Sequence, residues 1–105
     1  MGAHYDHWGW GGKGSGSKKK DTLASHIGAD DNASGAADLL SILKEIFNSV
    51  IKPKRSIIFI AFSWEEQRLL GSKYFVNHLP VAKDGIKLML NMDMIGRVIQ
   101  RNTSI

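Results

Sequence analysis

The run Ser56-Ile57-Ile58-Phe59-Ile60-Ala61-Phe62 is almost continuously apolar and rich in β-branched residues. A segment so short and so apolar fits a strand covered on both faces, the usual condition of a strand in a parallel sheet. The flanking pattern agrees. Ala36, Leu39, Leu40, Leu43, Ile46, Phe47 and Val50 recur at helical spacing, which predicts a helix with one buried face. Asn32 or Ser34 can cap its start, and Pro53 marks a point by which it has stopped. A second helix is expected over residues 66–79, carrying Leu69, Leu70, Tyr74, Phe75 and Leu79 and closed by Pro80. Another strand is expected at 86–92, and a first one ends near His4 and Asp6. Strand, helix, strand, helix, strand predicts an α/β fold with a mainly parallel sheet and right-handed crossovers. Residues 7–30 hold six glycines among serines and lysines and read as one long loop.

Several function classes drop out on composition. A chain of 105 residues forms one domain at most, and its apolar runs are too short to span a bilayer, so no membrane partner is expected. Met1 leads directly into Gly2-Ala3-His4, so no secretory signal is expected within the chain, and its compartment stays open. With no cysteine, a disulfide scaffold, a thiolate zinc site and a cysteine nucleophile are excluded. The net charge of +4 owes much to Lys18-Lys19-Lys20 and to Lys52, Lys54 and Arg55. No aromatic residues interleave with these lysines, so they read as solvated loops and no nucleic-acid partner is expected. Gly12-Lys13-Gly14-Ser15-Gly16 lacks the strand–helix context of a phosphate loop or a nucleophile elbow.

The acidic residues are not scattered. Glu65 and Glu66 follow the strand at 56–62, Asp93 follows the strand at 86–92, and His4 and Asp6 end the first. Asp30 and Asp31 immediately precede the long helix. Ligands of open parallel sheets bind beyond the carboxyl ends of the strands, so four segments bring imidazole and carboxylate groups to one rim. Taken singly, each has an ordinary reading: the Glu65-Glu66 pair suits a helix N-terminus, Asp31-Asn32 a cap, Asp93 a turn. Taken together, converging carboxylates repel one another unless a dication sits among them. Imidazole and carboxylate oxygens suit Zn²⁺, and a carboxylate can bridge two metals.

At these residues the sequence resembles the co-catalytic di-zinc aminopeptidases, the group of bacterial leucyl aminopeptidases related to glutaminyl cyclases. The resemblance rests on Gly2-Ala3-His4-Tyr5-Asp6-His7, on Gly28-Ala29-Asp30-Asp31-Asn32-Ala33-Ser34-Gly35, on Ala61-Phe62-Ser63-Trp64-Glu65-Glu66 with Leu70-Gly71-Ser72, and on Asn91-Met92-Asp93-Met94-Ile95-Gly96-Arg97. These blocks stand in the family's order and cover nearly the whole chain. The resemblance implies a partial three-layer αβα catalytic domain over 1–105. It also implies a peptide substrate, from which N-terminal residues are removed, and two zinc ions per site. By position, His4 and Asp93 would hold one zinc, Asp31 would bridge, and Glu66 would hold the second. Glu65 would be the general base, and Asp6 would fix the other ring nitrogen of His4.

Two departures shape the expectations. In the resembling family the second zinc also takes a histidine from beyond the Asn-x-Asp-Met block, and strands precede the Gly-Ala-His block. Neither has a counterpart here, and His7, His26 and His78 do not match the missing ligand, so the chain reads as an internal piece of the catalytic domain. With only Asp31 and Glu66 for the second metal, at most one tightly bound zinc is expected. The alternative is a piece that binds metal, or only folds, without turnover. A truncated sheet is expected to self-associate through its exposed edges.

Overall fold

The computed structural model describes residues 1–97. Strand β1 (Gly2–His4) pairs in parallel with β2 (Ile60–Phe62), with Gly2 opposite Ile60, Ala3 opposite Ala61 and His4 opposite Phe62. On the other edge of β1, the Gly2 amide donates to the Leu90 carbonyl at 2.9 Å, and the Met92 amide donates to the Gly2 carbonyl at 2.9 Å. β1 is therefore flanked on both sides by parallel backbone, although residue 91 makes only a bridge. Helix α1 (Gly35–Asn48) packs on β1, and α2 (Leu70–Asn77) meets the sheet where Phe75 lies edge-on to Phe62 at 6.0 Å. Two parallel strands and two helices make a small α/β unit.

The strands are shorter than their apolar runs. The β1–β2 ladder can be no longer than β1, so 56–59 lie outside it, with one bond from the Met1 ammonium to the Ile58 carbonyl at 2.7 Å. The expected strand at 86–92 shrinks to the bridge at Asn91 for the same reason. The expectation of cover on both faces does not hold in this structure. Among the described residues the buried apolar positions are Ala3 and Leu39, while Ile57 and Leu88 are exposed and Ile58 is only half-buried. Among the described residues two α-helices are too few to cover both faces of three extended segments. The radius of gyration, 17.0 Å, exceeds the roughly 13 Å of a closed domain near 100 residues.

α1 begins one residue before its periodic pattern and ends at Asn48, where Ser49 turns to extended backbone. The second helix starts later than the expected residue 66. Trp64, Arg68 and Leu69 have positive φ, and the Leu69, Leu70 and Gly71 amides donate to the Glu65, Trp64 and Ser63 carbonyls. The chain doubles back so tightly that any side chain at residue 71 would collide with the Ser63 backbone, a position only glycine fills. Glu65 and Glu66 consequently sit in this turn rather than in the first turn of a helix.

Among the described residues, no helix is long and apolar enough to cross a membrane.

Candidate active site

The rim is tied together by Asn32, which is 1% exposed. Its Nδ2 donates to the His4 carbonyl at 3.3 Å and to the Met92 carbonyl at 2.9 Å. Its Oδ1 accepts from the Gly35 amide and the Met94 amide, both at 3.1 Å. One buried amide thus joins the end of β1, the segment leading to Asp93 and the start of α1, with all four of its bonding positions used. Asn32 also does the capping work at Gly35, since Ser34 instead donates to the Asp30 carbonyl at 2.6 Å. Asp30 turns away from the rim, accepting from the Gly96 amide at 3.0 Å and lying 3.8 Å from Arg97 Nε.

His4, the last residue of β1, is 3% exposed. Its Nδ1 lies 3.1 Å from the Asp6 carbonyl, and because a carbonyl can only accept, Nδ1 carries the hydrogen. Nε2 then faces Asp31 Oδ1 at 3.1 Å and Asp93 Oδ1 at 3.5 Å. Burial by itself pushes the imidazolium down; the Asp6 carbonyl and the charges of Glu65, Asp93 and Asp31 outweigh it and hold His4 above its ordinary range. The expected partner of the ring nitrogen Nδ1 was Asp6, and the atom that meets it is the backbone carbonyl rather than the carboxylate. That carboxylate lies 3.7 Å away and instead accepts the Glu65 amide, at 3.2 Å on Oδ1 and 3.0 Å on Oδ2. Asp6 therefore steadies His4 through its backbone and the Glu65 turn through its side chain.

A second group forms beside the first. His7 Nδ1 is 2.9 Å from Glu66 Oε1, and His7, Asp31 and Glu66 each place one donor atom within 4.8 Å of the others. His4, Asp31 and Asp93 meet the same condition, so Asp31 belongs to both groups. Burial, then the charge of Asp31, raises Glu66 above the ordinary carboxylate range, against the opposing pull of His7. His7 was not expected here, because nothing in the glycine-rich loop marks it as different from His26.

The donor atoms fit a small dication. Among the described residues three buried side-chain atoms, His4 Nε2, His7 Nδ1 and Glu66 Oε1, have no hydrogen-bond partner beyond the imidazole and carboxylate groups of the two clusters themselves. All three belong to these two groups, and a buried polar atom left unpaired is costly. Tetrahedral zinc with bonds of about 2.0–2.1 Å separates its ligands by roughly 3.3 Å, and the His4 separations of 3.1 and 3.5 Å bracket that value. Glu65 belongs to neither group. With His4 and Asp93 it borders a cavity of about 450 Å³ whose apolar wall includes Phe62, Phe75, Ile86 and Met89.

Comparison with known proteins identifies a family. The model of peptidase family M28 matches residues 1–102. The chain is 40% identical over 77 residues to leupeptin-inactivating enzyme 1 of Streptomyces exfoliatus, covering 72% of this chain and 18% of that protein. It is 38% identical over 77 residues to aminopeptidase YwaD of Bacillus subtilis, covering 72% of this chain and 16% of that protein. A protein of Pyrenophora tritici-repentis named "Probable zinc metalloprotease" is 42% identical over 69 residues, 66% of this chain and 15% of its own length. The chain thus spans less than a fifth of the length of these relatives. No solved structure matches it.

Proposed function

We propose, from the fact that this chain belongs to peptidase family M28, that it carries the metal-binding rim of a zinc-dependent aminopeptidase acting on the N-termini of peptides. The observation that carries the reading is the carboxylate of Asp31 shared between two donor groups at the ends of parallel strands. His4, Asp31 and Asp93 are the residues to hold one zinc, with Asp31 and Glu66 reaching toward a second. A bound zinc supplies Lewis acidity to the scissile carbonyl and draws the pKa of water toward neutrality.

The remaining work falls to residues that bind no metal. Glu65, beside His4 and Asp93 at the cavity, takes the proton of the attacking water on its carboxylate and returns it to the leaving amine. The Asp6 carboxylate holds the Glu65 backbone in place, and its carbonyl fixes which nitrogen of His4 is left bare.

A fluorogenic aminoacyl-amide substrate tests the reading. Hydrolysis is expected with Zn²⁺, is lost to a chelator and returns when zinc is restored. Zinc bound without turnover would reduce the chain to a metal-binding piece, and turnover indifferent to chelation would end the metallopeptidase reading.

The peptide reading extends to assembly. Leu40, Phe47, Leu88, Leu90 and Tyr74 are exposed, and among the described residues no further strand pairs with the outer edges of the sheet; such surfaces recruit further chain. Light scattering of this chain at micromolar concentration is expected to report a dimer or larger species; a well-dispersed monomer would overturn this part of the proposal.

A further inference from the structure

We propose that His7 is a ligand of the second metal, so that this chain supplies three donors to each of two zinc ions sharing Asp31. The inference rests on the metallopeptidase reading above and departs from the expectation of a single tight zinc. That expectation counted two donors, Asp31 and Glu66, at the second position. The structure adds a third: His7 Nδ1 lies 2.9 Å from Glu66 Oε1, and among the described residues neither buried atom has another hydrogen-bond partner. The Glu66 side chain is only 9% exposed. An acceptor oxygen and a ring nitrogen turned toward each other and toward Asp31 are what a cation between them requires. Three protein donors with one position left for water is the usual catalytic zinc set.

The fold holds His7 there by more than chance proximity. Gly28, at the far end of the loop, brings its backbone so close that an added Cβ would meet the Asp31 carbonyl at 2.7 Å and His7 Cβ at 3.0 Å. The absence of a side chain at residue 28 lets the loop carrying His7 close against the turn carrying Asp31. The His7 ring is braced from its other sides by Trp8 and His26, edge-on at 6.3 and 6.2 Å. His26 lies behind the His7 ring and belongs to neither donor group.

Zinc titration of the metal-free chain, read by calorimetry and by bound metal after desalting, tests the inference without reference to activity. Two zinc ions per chain are expected, falling to one in His7→Ala, with affinity at the second position reduced more than about 100-fold. That loss exceeds the 10–100-fold typical of removing a group that merely supports a ligand. His78→Ala, at the end of α2 and outside both donor groups, is expected to keep both ions. Histidine ring ¹⁵N spectra of the unaltered chain supply the check that does not depend on a variant folding. The chain has four histidines, and two ring signals are expected to shift on zinc addition, those of His4 and His7. A chain that binds no zinc at all would overturn the metal reading itself. If one zinc binds, or if two bind and His7→Ala retains both, that reading survives and the role of His7 is refuted. A zinc-induced shift in only one histidine signal refutes it equally.

Discussion

Glu65→Gln is expected to reduce peptide hydrolysis by about 10²–10⁴-fold, the range a positioned general base contributes, while bound zinc stays at the unaltered level. The substitution is nearly isosteric and spares the local structure. The bond between residue 65 and Asp6 uses the backbone amide, which glutamine keeps. The lost charge weakens the attraction for a dication, but this is partly offset. Glu65 favours the protonated forms of both His4 and Glu66, so removing it eases the deprotonation that ligation demands. The loss therefore belongs in kcat. Measuring kcat and zinc content on the same preparation decides the matter: zinc lost in parallel with activity would make Glu65 a ligand, and activity retained would place the base elsewhere.

Much of this rim was legible in the sequence because it rests on strand ends. Two apolar runs each followed by acidic groups, with His4 and Asp6 at the end of a further expected strand, in a chain patterned as alternating strand and helix, leave few places for the acids except one edge. The periodicity of α1 was equally plain, since apolar residues from Ala36 through Leu39, Leu43, Ile46 and Phe47 recur at helical spacing over several turns. What was not legible depends on backbone approach rather than on pattern. The turn at 63–69 takes positive φ at Trp64, Arg68 and Leu69, none of them glycine, and no propensity predicts that. Asn32 reads as a simple cap; only the folded chain shows it bonded to three separate segments. His7 stands in a glycine-rich stretch without periodicity, and its partner Glu66 lies 59 positions away. The length of each strand was hidden too, because a ladder is limited by its shorter member and an apolar run does not reveal its partner's length.

The two donor groups are joined through Asp31, and this makes the effects of substitution unequal. Asp93 serves only the group with His4, and Glu66 only the group with His7. Asp93→Asn is therefore expected to release one zinc, whereas Asp31→Asn releases both. Asparagine preserves the size of residue 31 and one carbonyl oxygen, but it withdraws the negative charge that faces His4 Nε2 at 3.1 Å. The metal-free fold should tolerate this. The bonds that organise the rim come from the neighbouring Asn32, and Asp31 raises the proton affinity of Glu66, so removing its charge relieves crowding among the carboxylates. The cleanest readout is thermal stability with and without zinc. A ligand that binds only the folded state adds about 2.7 kcal/mol per site at roughly a hundredfold excess over Kd. The unaltered protein is expected to show a zinc-dependent rise in Tm, Asp93→Asn a smaller one, and Asp31→Asn none, with the three melting alike once metal is removed. Because residues serving one site do not act additively, adding His7→Ala to Asp31→Asn should change little further. A zinc-dependent rise in Asp31→Asn equal to that of the unaltered protein would remove Asp31 from both groups and with it the shared carboxylate on which the two-metal reading stands.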